Sequence, residues 1–434
     1  MKTHKALIDQ YSVIWKKEAH RCSRCGKCRS FCPVFIETRD EKMGTRGRIS
    51  LASALASNQV DFSKEFVRSI STCLRCLRCS KECPSQVDFD KLIRGVRGLL
   101  GHRVLSYRVA RSCISALLLN RFLLDAAVRA GSLGQKLLPG GKSPWIKKLP
   151  FFFRGSAVSP RFSRRSALAR FAGAYPVKQP KHRVLFYVGC VINYLYPDIA
   201  RAVIDVLNHF GVEVVIAKDE LCCGIPAISS GDVKTAEKLA RHTVAVASTC
   251  EVDYIVCACS TCANTFKKDY REMLGAEAEP FAEKVMDISL FLRKVLRADV
   301  ARLCVSATYH DPCHMRFGLG ITKEPRELVA QASAFIEMKN ADKCCGMAGS
   351  FGILNYDLSK RIFARKAQAV RESKAQIVAT GCPSCIMQLR GQLADSGISV
   401  EVVHVIELVA RSIERQNARK KEKSHGKEHV GTKA

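Results

Sequence analysis

The sequence predicts an all-helical N-terminal domain built round two four-cysteine runs. Two homologous α/β halves with parallel-sheet character are expected to follow. Three observations carry this. Residues 22–83 hold two nearly superimposable cysteine runs. From Lys181 onward, strand-like apolar runs alternate with amphipathic stretches, the order that yields a parallel sheet. That order then occurs a second time, with cysteines at matching places.

The first run is Cys22-Ser-Arg-Cys25-Gly-Lys-Cys28-Arg-Ser-Phe-Cys32-Pro33 and the second is Cys73-Leu-Arg-Cys76-Leu-Arg-Cys79-Ser-Lys-Glu-Cys83-Pro84. Each reads C-x2-C-x2-C-x3-C-P, and each cysteine of the second lies 51 positions after its counterpart. This is the run of bacterial two-cluster ferredoxins: three close thiolates hold one [4Fe–4S] cube and the fourth reaches the other. Cys22, Cys25, Cys28 and Cys83 are therefore assigned to one cluster, and Cys73, Cys76, Cys79 and Cys32 to the other. Structural zinc also uses C-x2-C pairs, but two matched runs with C-P endings argue against it. Between Cys32 and Cys73 lie 40 residues, too many for a compact βαβ ferredoxin. Helical patterns run on from Met43 and from Phe62 to Ile70, so helices rather than hairpins should hold the cubes in domain 1–100. A helix over 5–19, with Leu7, Ile8, Tyr11, Ile14 and Trp15 on one spacing, should pack over the first cluster. Arg46 and Arg48 either face a cluster or partner, or simply open a solvated helix.

A chain of 434 residues, 47% hydrophobic and 25% charged, has room for two or three globular domains. Its 22 cysteines are grouped, which favours metal thiolates in a reducing cytoplasm over disulfides. The start at Met1 shows no signal-peptide apolar region and no twin-arginine pattern. No apolar stretch approaches the roughly 18–20 residues that span a bilayer. The net charge of +30 calls for an anionic partner. Residues 94–183 carry 19 Lys and Arg against one acid, Asp125. Among them stand Leu117–Leu119, Phe122–Leu124, Trp145 and Phe151–Phe153, with breaks at Pro139-Gly140-Gly141 and Pro144. Residues 101–180 thus read as a basic amphipathic linker with one or two helices, suited to a membrane surface or an acidic protein. A plain connector with a solvated basic face is the alternative. No nucleic-acid reader motif accompanies the charge, so nucleic acid is not expected.

In the first half, 181–296, a strand over 184–188 ends at Gly189-Cys190, and a helix opens at Pro197 and stops at Gly211. A strand over 213–217 leads to Cys222-Cys223-Gly224. A helix over about 232–249 and a strand over 254–258 lead to Cys259-Ser-Thr-Cys262. In the second half, 297–414, a strand over 304–309 leads to Asp311-Pro-Cys313-His314, and a helix opens near Pro325. A short strand then precedes Cys344-Cys345-Gly346. A helix over about 358–372 and a strand over 377–380 lead to Cys382-Pro-Ser-Cys385. Cys190 to Cys262 and Cys313 to Cys385 each span 72 positions, offset by 123. Each half gathers five cysteines at the C-terminal ends of its strands, where ligands collect in open α/β sheets. The sets are Cys190, Cys222, Cys223, Cys259 and Cys262, and Cys313, Cys344, Cys345, Cys382 and Cys385. Adjacent cysteines strain round one zinc but can reach different irons, and the glycine after them permits a positive φ. Packing alone does not explain two matched copies; thiol–disulfide exchange is the stronger rival. Cys113, Cys250, Cys257 and Cys304 are left as structural residues. His310 and His314 flank the second motif, and His314 is either a proton donor or ligand-supporting group or a packed histidine. No catalytic residue is assigned. Residues 415–434, with seven Lys/Arg and two Glu, read as a disordered basic tail.

These features together resemble the family that includes the iron–sulfur subunit of glycolate oxidase. That family also includes the cysteine-rich iron–sulfur subunits of anaerobic glycerol-3-phosphate dehydrogenase and of heterodisulfide reductase. Gly44-Thr-Arg-Gly-Arg-Ile and the run ending Cys83-Pro84-Ser85 look like the glycolate oxidase subunit. Cys222-Cys223-Gly224-Ile-Pro226 and Cys259-Ser-Thr-Cys262 look more like the other two. The resemblance implies a ferredoxin domain that relays single electrons, and one or two further [4Fe–4S] clusters, of non-cubane type, on the two sets of five cysteines. It implies a partner protein carrying FAD and oxidising a 2-hydroxy acid such as glycolate or lactate. No G-x-G-x-x-G follows a strand here, so no flavin or nicotinamide is expected on this chain. Electrons would pass to a membrane quinone, a membrane cytochrome or another carrier, from a peripheral position on the inner face of the cell membrane. The alternative implied is a heterodisulfide-reductase-like catalytic subunit.

Overall fold

A short helix over Pro33–Thr38 and two longer ones, α1 (Thr45–Ala56) and α2 (Lys64–Ser71), fill the interval between the cysteine runs, and α3 (Phe89–Arg103) follows the second. The computed structural model describes residues 15–137, 145–146 and 159–428. Ser63 caps α2 by accepting from the Phe66 amide, and Asp88 caps α3 by accepting from that of Lys91. Leu92, Ile93, Val96, Leu99 and Leu100 keep one face of α3 and bury it against Ile49, Ala52 and Leu55 of α1 and Phe66 and Ile70 of α2. Trp15 closes this core from a helix over 15–21; Leu7, Ile8, Tyr11 and Ile14 lie outside the described residues.

The linker holds two helices, α4 (Leu105–Leu119) and α5 (Arg121–Leu137), bent at Asn120. The Pro139-Gly140-Gly141 break, Pro144 and Phe151–Phe153 lie outside the described residues, while Trp145–Ile146 pairs antiparallel with Ser159–Pro160. The first half begins earlier than the expected residue 181. A helix over Ala167–Phe171 buries Ala167, Leu168 and Phe171 in its core, and β1 (Gly173–Tyr175) adds an antiparallel edge to its sheet. That three-residue edge was too short to show a period.

The first sheet contains β2 (His182–Tyr187), β3 (Val212–Ile216), β4 (Tyr254–Cys257) and β5 (Val285–Asp287), in the order β1-β3-β2-β4-β5. Helices α6 (Pro197–His209) and α7 (Val233–Ser248) make the crossovers. The second sheet contains β6 (Ser306–His310), β7 (Ala334–Phe335), β8 (Ile377–Thr380) and β9 (Glu401–His404), in the order β7-β6-β8-β9 and parallel throughout. Apart from the added edge, the two orders are the same. Helices α8 (Lys323–Ala332), α9 (Tyr356–Ser373) and α10 (Pro383–Asp395) pack on the second sheet, and α11 (Val405–Glu428) crosses to lie against α6 of the first half. One apolar core runs through both halves. Of the tail expected to be disordered, residues 415–428 instead continue α11, as their helix-favouring Arg, Lys and Glu content allows, and 429–434 lie outside the described residues.

Candidate metal centres

The two N-terminal runs fold alike because left-handed residues fall at the same places in each. Arg24 and Gly26 (φ 55° and 77°) in the first match Arg75 and Leu77 (φ 49° and 63°) in the second. These turns bring the thiols of each run to one side. Cys22, Cys25, Cys28 and Cys83 line one cavity of about 430 Å³. Cys32, Cys73, Cys76 and Cys79 line a second of about 440 Å³. Cys79 belongs to the walls of both. The donor chemistry fits a [4Fe–4S] cube in each: at least four thiols, no carboxylate on the first cavity, and cationic groups close by. Arg46 borders the first, donating to the Arg24 carbonyl at 3.1 Å and to Glu41 at 2.7 Å. Arg48 is buried beside the second, donating to the Ser69 carbonyl at 2.7 Å and to Thr72 at 3.1 Å. Burial pushes the Cys28, Cys32, Cys76 and Cys79 thiols up, so an anionic cluster here depends on such partners.

In the halves, each cysteine motif follows a parallel strand or its crossover, and Gly224 and Gly346 take φ values of 86° and 83°, so the chain can turn after each cysteine pair. The Sγ atoms of Cys190 and Cys222 lie 4.0 Å apart and those of Cys345 and Cys385 lie 3.6 Å apart. Cys223 and Cys345 are drawn down in pKa in the same way. The preceding thiol of each pair, Cys222 or Cys344, acts first, and Cys262 or Cys385 acts next. Cys313 contacts Cys344, which completes the second set.

The thiol sites lie in a row. Cys76 of the second N-terminal cavity faces Cys313 and Cys344 across a cavity of about 480 Å³. The two C-x2-C loops then meet at the junction of the halves: the Cys259 and Cys382 thiols are neighbours, Thr261 Oγ1 lies 3.8 Å from Cys382 Sγ, and the Ser260 amide donates to the Gly381 carbonyl at 3.2 Å. At the far end, Cys190 and Cys222 border a cavity of about 290 Å³ beneath the bend between α4 and α5, walled by Leu118, Arg121 and Leu124.

Several residues line this row, of which the sequence singled out only His310 and His314. Arg75 is buried and donates to both oxygens of Asp90 at 2.8 Å, to Ser229 of the first half at 2.8 Å, and lies 3.7 Å from Asp269. Arg97 donates to the carbonyls of Ile70, Ser71 and Cys73. His314 is a bridge: its Nδ1 lies 3.2 Å from Thr261 Oγ1, and its Nε2 lies 2.9 Å from the Arg75 carbonyl. His310 is fully buried with neither ring nitrogen hydrogen-bonded, and one of its nitrogens lies within 4.8 Å of both Cys345 and Cys385 Sγ. Burial pushes its pKa down to about 3. Glu220, two positions before Cys222, accepts from the Val188 and Gly189 amides at 2.9 and 2.6 Å and so fixes the loop that presents Cys190. Of the cysteines left over, Cys257 is buried and Cys250 half-buried, but Cys113 and Cys304 are exposed and serve no core. Their isolation in sequence gave no sign of which face they were on.

A 4Fe-4S dicluster domain model matches residues 18–87, and a cysteine-rich domain model matches twice, at 184–267 and 307–390. The chain belongs to the family of iron–sulfur proteins that joins a dicluster ferredoxin domain to two cysteine-rich domains. Within it, the chain is 29% identical to the probable glycolate oxidase iron-sulfur subunit of Bacillus subtilis, over 90% of this chain and 93% of that one. It is 28% identical to lactate utilization protein A of an Exiguobacterium, over 54% of this chain and 98% of that one. It is 31% identical to a subunit of the fumarate reductase (CoM/CoB) of Methanothermobacter marburgensis, over 54% of this chain and 47% of that one. Among the described residues no helix is long and apolar enough to cross a membrane.

Proposed function

We propose that this chain is the electron-transferring subunit of a flavin-linked 2-hydroxy acid oxidoreductase, of glycolate or lactate type. It takes electrons from an FAD-bearing partner and passes them to a membrane quinone or another carrier, from the inner face of the cell membrane. The observation that supports it most is the unbroken row of thiol sites, from the wall shared at Cys79, past Cys76 and Cys313, to Cys382 and Cys259. In this reading Cys22, Cys25, Cys28 and Cys83 hold one [4Fe–4S] cube and Cys32, Cys73, Cys76 and Cys79 the other. Each set of five cysteines in the halves holds a further cluster. Bound clusters supply one-electron redox chemistry. The chain's own residues keep them in order, leave the Cys25 side of the first open to water, and set Arg46, Arg48, Arg75 and Arg97 round the N-terminal pair. The test mixes this chain with its flavoprotein partner, adds glycolate or lactate, and follows the cluster absorbance and reduction of a quinone analogue. Bleaching followed by quinone reduction is expected; no bleaching with any hydroxy acid overturns the reading.

A second reading has its own support. Both halves keep all five cysteines, and their loops touch at Cys259 and Cys382, as a disulfide-reducing centre would need. A thiyl-type paramagnetic signal on adding a disulfide to the reduced protein would favour it, and no signal would remove it.

A further inference from the structure

Among the described residues, six of the nine large apolar side chains that stand well exposed lie on α4 and α5. Four of the six, Leu105, Val109, Phe122 and Leu133, fall on two faces, and Ile114 and Leu123 stand apart from these. On α4, Leu105, Val109, Cys113 and Ala116 occupy one exposed face, and Arg108 and Ser112 share it. On α5, Phe122, Ala126, Ala130 and Leu133 do the same, with Arg129 among them. Each face repeats at positions i, i+4, i+8 and i+11, the period of one side of a helix. The exposure is large: 69% for Leu105, 55% for Val109, 79% for Phe122 and 60% for Leu133. The opposite faces are accounted for. Arg111 and Ser115 bind Asp232 at 2.8 and 2.7 Å, Leu118 is buried, Arg121 donates to the Glu220 carbonyl, and Asp125 accepts from Tyr194 at 2.7 Å. The two helices are therefore seated on the first half by one side, and among the described residues nothing covers their second, apolar and cationic side.

The charge decides the occupant. Asp125 is the only acid between residues 94 and 183, and it is turned inward to Tyr194 and Arg121. A second copy of a chain of net charge +30 would bring more positive charge to the face. So would residues 138–158, which carry four Lys and Arg and no acid. The geometry points to an anionic phospholipid bilayer as the partner. Its headgroups would meet Arg108 and Arg129, and its acyl boundary would take Leu105, Val109, Phe122 and Leu133. This rests on the electron-transfer reading for its purpose. The bend between α4 and α5 covers the cavity at Cys190 and Cys222, so docking here would bring the far end of the row of centres to the membrane.

The test needs no electron transfer, so its failure leaves that reading standing. The full-length, cluster-loaded protein is sedimented with phosphatidylcholine vesicles, with and without phosphatidylglycerol. Binding is expected only with phosphatidylglycerol and should weaken as salt rises. Arg108→Glu with Arg129→Glu should lower the partition coefficient at least about tenfold. Phe122→Asp with Leu133→Asp should abolish binding, with the cluster absorbance unchanged as the check on folding. A Phe122→Trp variant should shift its emission to the blue on those vesicles and be quenched by brominated acyl chains. Equal binding to neutral vesicles, retention in the charge-reversed variant, or no quenching overturns the proposal. So does tight binding of this face to an acidic protein with no affinity for vesicles.

Discussion

The two cysteine-rich halves share strand order, cysteine spacing and the turn after each cysteine pair, yet their outer thiols meet different neighbours. Over Cys313 and Cys344 of the second half lies the ferredoxin domain, through Cys76 and Phe31. Over Cys190 and Cys222 of the first lies the bend of α4 and α5. One acid shows how the copies diverged. Glu220 and Asp342 stand at the same place, two residues before the cysteine pair. Glu220 turns in and holds the Cys190 loop, and burial pushes its pKa up to about 8. Asp342 turns out to Arg78 of the ferredoxin domain at 2.8 Å, where the Arg78 guanidinium also stacks between Phe31 and Phe317. A duplicated site has become one end that faces the ferredoxin domain and one that faces a covered cavity.

Breaking one half should therefore differ from breaking the other. Cys345→Ser is expected to remove the second-half centre and to cut exchange between the ferredoxin clusters and the first half. Cys223→Ser is expected to leave exchange between the ferredoxin domain and the second half intact. Iron content with freeze-quenched paramagnetic resonance reads both; equal loss of exchange in the two variants would break the order Cys76, Cys313, Cys382, Cys259.

Next in size is the seat of the ferredoxin domain. Arg75→Leu leaves Asp269 buried without its nearest cation, while Asp90 keeps Arg94 at 3.1 Å. Removing one partner of such a buried group costs about 3–5 kcal/mol. Asp342→Asn, at the partly exposed Arg78 pair, should cost about 1 kcal/mol or less. Denaturant unfolding of the two variants measures the contrast, and a similar loss in both would mean that the second half, not Arg75, carries the dock.

The halves also differ three residues before their first cysteine, where Tyr187 of one matches His310 of the other. Tyr187 donates to the Leu221 carbonyl at 2.7 Å, whereas His310 has no such bond and lies beside Cys345 and Cys385. His310→Tyr should draw the midpoint potential of the second-half centre toward that of the first, since groups beside the sulfurs tune potential. A redox titration that finds the second centre unmoved would limit His310 to packing.

Much of this was legible in the sequence, because thiol chemistry leaves fixed spacings. The two runs, the paired strands ending at cysteines, and the glycines with positive φ could all be read from residue types. What the symmetry of the spacing hid was its breaking. Cys313 and Cys190 look equivalent on the page, and only packing shows which one faces Cys76. Arg75 reads as one more basic turn residue, since nothing local announces partners 15 and 154 positions away. The three-residue strands β1 and β5 carry too few residues to show a period, and their placement comes from the sheet they join.

The smallest expected effect concerns the cap on the first half. Asp232, at the start of α7, accepts from Arg111 and Ser115 of α4 and from the Thr235 amide. Burial alone would raise its pKa, but these bonds win and hold it at about 2. A carboxylate depressed below its usual value near ~3.9 stabilises the folded form above that value and loses its effect as pH falls toward the folded one. Between pH 8 and pH 5 its contribution should therefore be constant. Asp232→Asn keeps an acceptor for Ser115 and Thr235 but loses the charge opposite Arg111, which is partly screened at this edge of the fold. The expected cost is about 1 kcal/mol, seen as faster amide exchange in α4, and the gap from the natural protein should be the same at both ends of that pH range. A gap that closes by pH 5 would mean that α4 is held by some other titrating group, and that the cap over Cys190 and Cys222 is not pinned through Asp232.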